Sequence, residues 1–360
     1  MSSESVEEHA TNVVPKARTA ARGGRPAKTA PTIYDVAELA GVNPSTVSRA
    51  LSQPGRINIK TEERIHAAAK TLNYRLNPMA RALPTGRTST LGLLLADITN
   101  PMIFGIVRGA EHAAAEQGYT LVIAESQESG EREASTAQRI QPSVDGLILG
   151  TTRLSDTQIQ ELATNKPLVL INRDVEGVAS VLPDVNPGID GALAHLESLG
   201  HHSIAYLSGP ANSWMSGTRW ASLLERAVAR GMNVVEIGPG VPTLDGGRAA
   251  LTRVLASGVT AVVAYNDLMA IGLLQAAGDE GISVPDRFSL VGFDDIFGSD
   301  FTTPALTTIR TPLARAGARA VRHALALVSG TADESSTAAD NDEKIETELV
   351  IRQSTGPAAS

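Results

Sequence analysis

Two adjacent carboxylates, Asp294-Asp295, and two adjacent imidazoles, His201-His202, are the pairs in this 360-residue chain that most resemble reactive centres. A carboxylate pair can pass protons or hold a divalent cation, and paired imidazoles can ligate zinc. The spacing argues against both. Asp294 and Asp295 follow the apolar run SLVGF, and neighbours on an extended segment point to opposite faces, so they do not share a site. The imidazoles follow a helix-ending Gly200 and lack a spaced third ligand. The chain has no cysteine, no nucleophile elbow, no phosphate loop and no dinucleotide glycine fingerprint. The expectation is a protein that is not an enzyme and carries neither metal nor cofactor.

A second set of polar groups is more informative because of where it falls. Asn100 ends the stretch DITN after the run TLGLLLAD, with Phe104 in the first turn of the helix that follows. Asn172 and Arg173 follow VLI, Trp214 and then Arg219 follow YLSGP, Asn266-Asp267 follow VVAY, and Asp294 follows SLVGF. Each lies at a junction between strand and helix, where doubly wound sheets bind their ligands. Amides, carboxylates, a guanidinium fork and aromatic faces together suit a polyhydroxylated small molecule. Each residue also has a purely structural alternative. An Asn or Asp there can cap the next helix, and an Arg can pair a surface acid.

The elements that must position these groups alternate with a clear rhythm from Ser89 onward. Near-continuous apolar runs (TLGLLLAD, YTLVIAE, DGLILG, PLVLIN, SIAYLS, NVVEI, AVVAY, SLVGF) are separated by helical patterns. Those patterns lie at 101–118, 131–140, 155–163, 187–200, 216–230, 246–257 and 267–281. Buried runs alternating with helices indicate parallel sheets covered on both faces. About ten strands are too many for one small unit, so two consecutive doubly wound subdomains are expected. A strand-like ASVLPD joins the halves, and a helix over 313–329 and the strand ETELVIR close the chain. The acidic stretch at about 331–343 reads as an exposed loop. With 42% hydrophobic residues the chain can bury a sizeable core.

Charge is uneven. Residues 1–90 hold 13 Lys/Arg against 7 Asp/Glu, and the remainder 18 against 32. A basic head on an acidic body fits a polyanionic partner for the head. Residues 1–31 lack large apolar side chains and are expected to form a disordered basic arm. The polar, acidic first residues are wrong for a secretory signal, and no apolar run is long enough to span a membrane. With no cysteine, a cytoplasmic, nucleoid-associated protein is expected.

Between Thr32 and Leu72 three short helices are punctuated by specific signals. Thr32 and Asp35 have capping-box spacing, Gly41 suits a left-handed helix end, and Asn43-Pro44 suits the next start. The second helix, to about Leu51, turns Val47 and Leu51 inward and leaves Ser45, Thr46, Ser48 and Arg49 on other faces. A third helix capped by Thr61 packs through Ile65, Ala68, Ala69 and Leu72. Two helices joined by a glycine turn form a helix-turn-helix, whose second helix enters the DNA major groove. After it, Asn77 can cap and Pro78 can start a helix that Pro84 stops, too short to be stable alone.

The strings DVAELAGVNPSTVSRAL and NPMARAL resemble the lactose/galactose/purine repressor (LacI/GalR) family of bacterial transcription regulators. The resemblance continues through DGLILG, SLGHHSIAYLSGP, AYNDLMAIGLLQAA, SLVGFDD and PALTTIR. It implies a fold with a three-helix head (32–75), a hinge helix and linker (76–88), and an effector-binding and dimerisation domain (89–360). That domain would have two Rossmann-like subdomains resembling periplasmic binding proteins.

The resemblance also implies roles for individual residues. Pro44, Ser45 and Arg49 match base-reading positions. Proline offers only apolar contact, which shifts readout onto Ser45 and onto Arg49, able to grip guanine in bidentate fashion. Thr46 and Ser48 would bond phosphates. Asn77, Ala80, Arg81 and Leu83 match the hinge helix, with Leu83 the wedge that enters a base step and kinks the duplex. Arg219, Asn266 and Asp294 match recurrent effector contacts, Phe104 and Asn172 frequent ones, and Asn100, Arg173 and Trp214 complete the expected set. The implied protein is a homodimeric repressor on a pseudo-palindromic operator, controlled by a sugar, polyol or nucleoside-like effector. The absence of a leucine heptad in the tail IRQSTGPAAS favours a dimer. An architectural DNA-bending protein without small-molecule control, or a regulator governed by a partner protein, stays open.

Overall fold

The computed structural model describes residues 31–52, 55–74, 86–331 and 345–358, which fall into two compact units on either side of residue 77. The hinge positions Asn77, Ala80, Arg81 and Leu83, the basic arm and most of the acidic loop lie outside the described residues.

The first unit is a three-helix head. Helix α1 (Ile33–Ala40) opens on a complete capping box between Thr32 and Asp35, whose hydrogen bonds from the Thr32 backbone and hydroxyl hold the Asp35 carboxyl below its usual range. It ends where Gly41 turns left-handed at φ 64°, and Val42 N–H returns to the Ala37 carbonyl at 3.0 Å. Helix α2 (Pro44–Ser52) starts on the Asn43 carbonyl, which accepts from Thr46 and Val47. Helix α3 (Ile59–Thr71) is capped by Asn58, three residues before the expected Thr61, the Asn58 side chain accepting from Lys60 N–H at 3.0 Å. Val36, Ala37, Ala40, Val47, Ala50, Ile65, Ala68 and Ala69 form the shared core, with Leu51 and Leu72 packed at its margin.

The second unit holds two sheets. Strands β1 (Thr90–Leu95), β2 (Thr120–Glu125), β3 (Gly146–Gly150), β4 (Leu168–Ile171) and β5 (Ala179–Val181) make an all-parallel sheet in the order 2-1-3-4-5. Between them lie α4 (Met102–Glu116), α5 (Gly130–Ile140) and α6 (Asp156–Asn165). The chain then crosses through β6 (Pro183–Asp184) and α7 (Asn186–Ser198) into the second subdomain. There β7 (Ser203–Leu207), α8 (Trp214–Ala229), β8 (Asn233–Ile237), α9 (Leu244–Arg248), α10 (Leu251–Ser257), β9 (Ala261–Ala264), α11 (Asp267–Asp279), β10 (Ser289–Asp294) and β11 (Thr307–Arg310) follow in sequence. After α12 (Leu313–Ser329) come β12 (Ile345–Glu346) and β13 (Glu348–Val350), and the second sheet has the order 13-11-10-9-7-8, parallel except for β13.

Two expectations are corrected. The subdomains are interleaved rather than consecutive. Helix α12 buries Leu313, Ala316, Ala320 and Ala324 in the first subdomain's core, β12 pairs with β6, and β13 rejoins the second sheet. The single helix expected over 246–257 is two, since Thr243 caps a turn starting at Leu244 and the chain breaks before Leu251. Gly247 there runs so close to α11 that a Cβ would lie 2.0 Å from the Met269 carbonyl oxygen. No helix among the described residues is long and apolar enough to cross a membrane.

Candidate functional site

On α2, Ser45 and Arg49 are exposed one helical turn apart, whereas Pro44, Thr46 and Ser48 are half-buried. Val47 and Ala50 anchor the opposite face in the head's core. The surface is therefore a small hydroxyl beside a long cation on a helix fixed from behind, suited to hydrogen bonding at base edges.

In the second unit, the carboxyl ends of strands from both sheets meet around a cavity with 360 Å³ of empty space, counting its mouth. The second subdomain contributes Arg219, Tyr265, Asn266 and Asp294; the first contributes Asn100, Glu128, Arg153 and Asn172. The space it encloses is about 20 Å³, room for about one water, so the two walls nearly touch, and what they share with ligand sites is a few convergent polar groups.

Arg219 is the centre of the second wall. It lies in the second turn of α8, whose start is fixed by Ser213 accepting from Ser216 N–H. Its Nη2 lies 2.7 Å from Asp294 Oδ1, its Nη1 donates to the Tyr265 carbonyl, and its carbon Cζ rests 3.7 Å above the Phe293 ring. Burial works against the Arg219 charge, but Asp294 and the Tyr265 and Tyr206 hydroxyls hold its pKa above the usual value. Burial pushes the Asp294 carboxyl up while Arg219 pulls it down. Asp294 has φ 106° and Asn172 φ 61°, both outside the conformations that most side chains adopt.

Asn266 both lines the cavity and caps α11, its Oδ1 accepting from Met269 N–H at 2.9 Å and its Nδ2 donating to the Pro242 carbonyl at 3.1 Å. Asn100 likewise lines the cavity while accepting from Met102 N–H. For these two the capping reading holds, and each also faces the cavity. Asn172 is buried with its Oδ1 unpartnered.

Three expected residues are not brought to the cavity wall. Phe104 is about half exposed on α4, Trp214 packs against the second subdomain's core, and Arg173 pairs with Asp156. In exchange the structure adds Glu128, Arg153, Thr151 and Tyr265. Glu128 follows β2 and Arg153 follows β3, so the same strand-end rule, applied to every strand, finds them. Asp295, just past the strand at φ 53°, faces elsewhere and pairs with Arg310 and Arg352.

A helix-turn-helix unit followed by a cavity between two doubly wound subdomains defines a class: regulators that couple a DNA-binding head to a small-molecule receptor. The chain belongs to the LacI family of bacterial regulatory proteins. The family's model matches residues 32–77, and a periplasmic binding protein-like domain matches residues 193–355. The transcriptional regulator GalR of Escherichia coli is 33% identical over 82% of this chain and 89% of its own length. Among solved structures, the lac repressor dimer bound to operator and the anti-inducer ONPF matches 91% of this chain at 26% identity and a TM-score of 0.80. The CelR–cellobiose complex matches 90% at 28% identity and a TM-score of 0.64. The protein is thus a transcriptional regulator and not an enzyme.

Proposed function

We propose that this regulator represses transcription as a homodimer on a pseudo-palindromic operator in the cytoplasm, and that a small, hydroxyl-rich effector in the cavity controls it. The observation that carries the effector reading is the cavity itself. Arg219 and Asp294 on one wall and Glu128, Arg153 and Asn172 on the other are buried or half-buried polar groups at strand ends of both sheets. A ligand touching both walls favours one arrangement of the subdomains over another, and that differential affinity is what a switch requires. Asn100 and Asn266 complete the proposed contacts; Phe104, Arg173 and Trp214 would join them only after rearrangement. In the head, Ser45 and Arg49 are proposed to read bases, with Pro44 in apolar contact and Thr46 and Ser48 on phosphates. The division into arm (1–31), head (32–75), hinge (76–88) and effector domain (89–360) is adopted with this reading. So are the hinge roles of Asn77, Ala80, Arg81 and Leu83.

The test has two arms. Sequencing genomic fragments retained by the purified protein should return a few promoters sharing an inverted repeat. A thermal-shift panel of sugars, polyols and nucleosides should give at least one ligand that raises the melting temperature as ln(1 + [L]/Kd) requires and alters retention of those fragments. Fragments without a shared repeat would overturn the operator reading, and a panel without a stabilising ligand the effector reading.

A further inference from the structure

Two ion pairs face the cavity, one from each subdomain, and they are satisfied in a way that leaves a particular chemistry over. On the first subdomain's wall, Arg153 Nε donates to Glu128 Oε2 at 2.7 Å and its Nη2 lies 2.7 Å from the same oxygen. Its Nη1 donates to the Thr151 carbonyl at 2.8 Å. The guanidinium side chain is 3% exposed, whereas the Glu128 side chain keeps 32% of its surface. The backbone holds this arrangement. Arg153 N–H donates to the buried Glu133 carboxylate at 2.8 Å, and Glu128, at φ 59°, donates its own N–H to the Ala96 carbonyl at 2.9 Å.

Both contacts fall on Oε2, so Oε1 of Glu128 has no partner among the described residues. The second wall repeats the pattern, since Arg219 engages Asp294 through Oδ1 and leaves Oδ2 without one. The Asn172 Oδ1 is a third acceptor, buried and unpartnered, and Arg219 Nε is an unpartnered buried donor. The cavity thus carries two cations each paired with a carboxylate and, among the described residues, unpartnered acceptors and unpartnered donors in Arg219 Nε and the Asn100 and Asn172 side-chain amides. A hydroxyl group, which both donates and accepts, fits that inventory. An anionic group meets carboxylate oxygens while both guanidinium charges are already compensated.

Resting on the effector reading above, we infer that the Glu128–Arg153 pair sets specificity, admitting a neutral hydroxyl-rich ligand and rejecting the same ligand bearing a carboxylate or phosphate.

The test is calorimetric titration of the full-length protein with aldopentoses and aldohexoses, their uronic acids and their terminal phosphates, for wild type and Glu128→Gln. The wild type should bind at least one neutral sugar about 100-fold more tightly than its acid or phosphate, as for a site that meets an anion with unpaired like charge. Glu128→Gln keeps the side chain's shape but removes the carboxylate paired with the Arg153 guanidinium, leaving only the buried Glu133 carboxyl nearby. It should weaken the neutral sugar about tenfold, the loss of one charge-assisted hydrogen bond, and tighten the acid. The ratio then narrows by more than tenfold. A wild type that prefers the acid or phosphate, or a ratio unchanged in Glu128→Gln, overturns this inference and leaves the effector reading standing. If no probe of any charge binds, the effector reading itself fails and takes the inference with it. Should Glu128→Gln lose its cooperative melting transition, the wild-type ratio alone decides.

Discussion

Arg219 Nη2 and Asp294 Oδ1 lie 2.7 Å apart with side chains 5% and 2% exposed, so each charge depends on the other for what water no longer supplies. Removing one partner of such a pair strands the other, at a cost of about 3–5 kcal/mol, whereas neutralising both costs far less. Arg219→Met should therefore lower the urea midpoint of the second unit by more than Arg219→Met combined with Asp294→Asn. A single variant that loses under about 1 kcal/mol would mean the pair is effectively solvated.

Asp267, one residue beyond the cavity-lining Asn266, gives the second unit a pH dependence of defined sign. It is fully buried and accepts from Thr308 Oγ1 at 2.6 Å, Ser299 Oγ at 2.7 Å and Ile296 N–H at 2.9 Å. Burial pushes its pKa up from 3.8 to about 7, against the Thr308 hydrogen bond and with help from the Asp294 charge. Between those two values the folded state holds a proton that the unfolded chain has released. Stability through this group is thus present below pH 4 and falls as pH rises towards 7, levelling above it. His195 and His201, whose pKa values burial lowers, act with the opposite sign. Comparison with Asp267→Asn isolates the aspartate. Urea midpoints from pH 5 to 8 should decline more steeply, or rise less, in the wild type than in the variant. Parallel curves would remove Asp267 as the source.

The head was legible almost residue by residue because its signals are local. The Thr32–Asp35 box, Gly41 in the left-handed region and Pro44 at a helix start each depend on a few neighbours. The return of α12 to the first sheet was not legible. Its buried Ala316, Ala320 and Ala324 make a small-residue stripe that would suit either subdomain, and nothing local says which. At the cavity, strand-end position identified Asn100, Asn172, Arg219, Asn266 and Asp294 but not the direction a side chain takes. Arg173 follows Asn172 immediately and turns away to Asp156. Glu128 and Arg153 follow β2 and β3 by three residues, closer than Asn100 follows β1, so strand-end position marks them as readily as it marks Asn100.

The interleaving has a packing consequence that can be measured. Helices α4 and α12 approach so closely that a Cβ on Gly109 would lie 1.9 Å from the Ala314 carbonyl oxygen, and one on Gly317 2.1 Å from that of Ile106. Backbone cannot yield as a side chain does, so Gly109→Ala should destabilise by at least the roughly 1–3 kcal/mol typical of overpacking. Gly217, in α8, has nothing within 4 Å of its ideal Cβ. Gly217→Ala should then be neutral or stabilise by up to about 1 kcal/mol through helix propensity. Thermal unfolding of both variants decides the point, and equal effects would show that the helices separate freely.

On the head, the half-buried Pro44 can offer DNA no donor, and base contacts are proposed for Ser45 and Arg49. The two should respond differently to truncation. A bidentate arginine–guanine contact contributes about 1–3 kcal/mol of discrimination. Arg49→Ala should accordingly weaken binding to the best retained operator fragment about 10- to 100-fold at fixed salt and flatten preference at one base pair in each half-site. Ser45→Ala should alter preference at a neighbouring position with a smaller loss. If Arg49 instead holds a phosphate, Arg49→Ala will weaken all sequences alike and lower the slope of log affinity against log salt by about one per head. Fluorescence anisotropy with a set of singly substituted operators at two salt concentrations separates the two outcomes. Uniform weakening with a reduced salt slope would move base reading off Arg49.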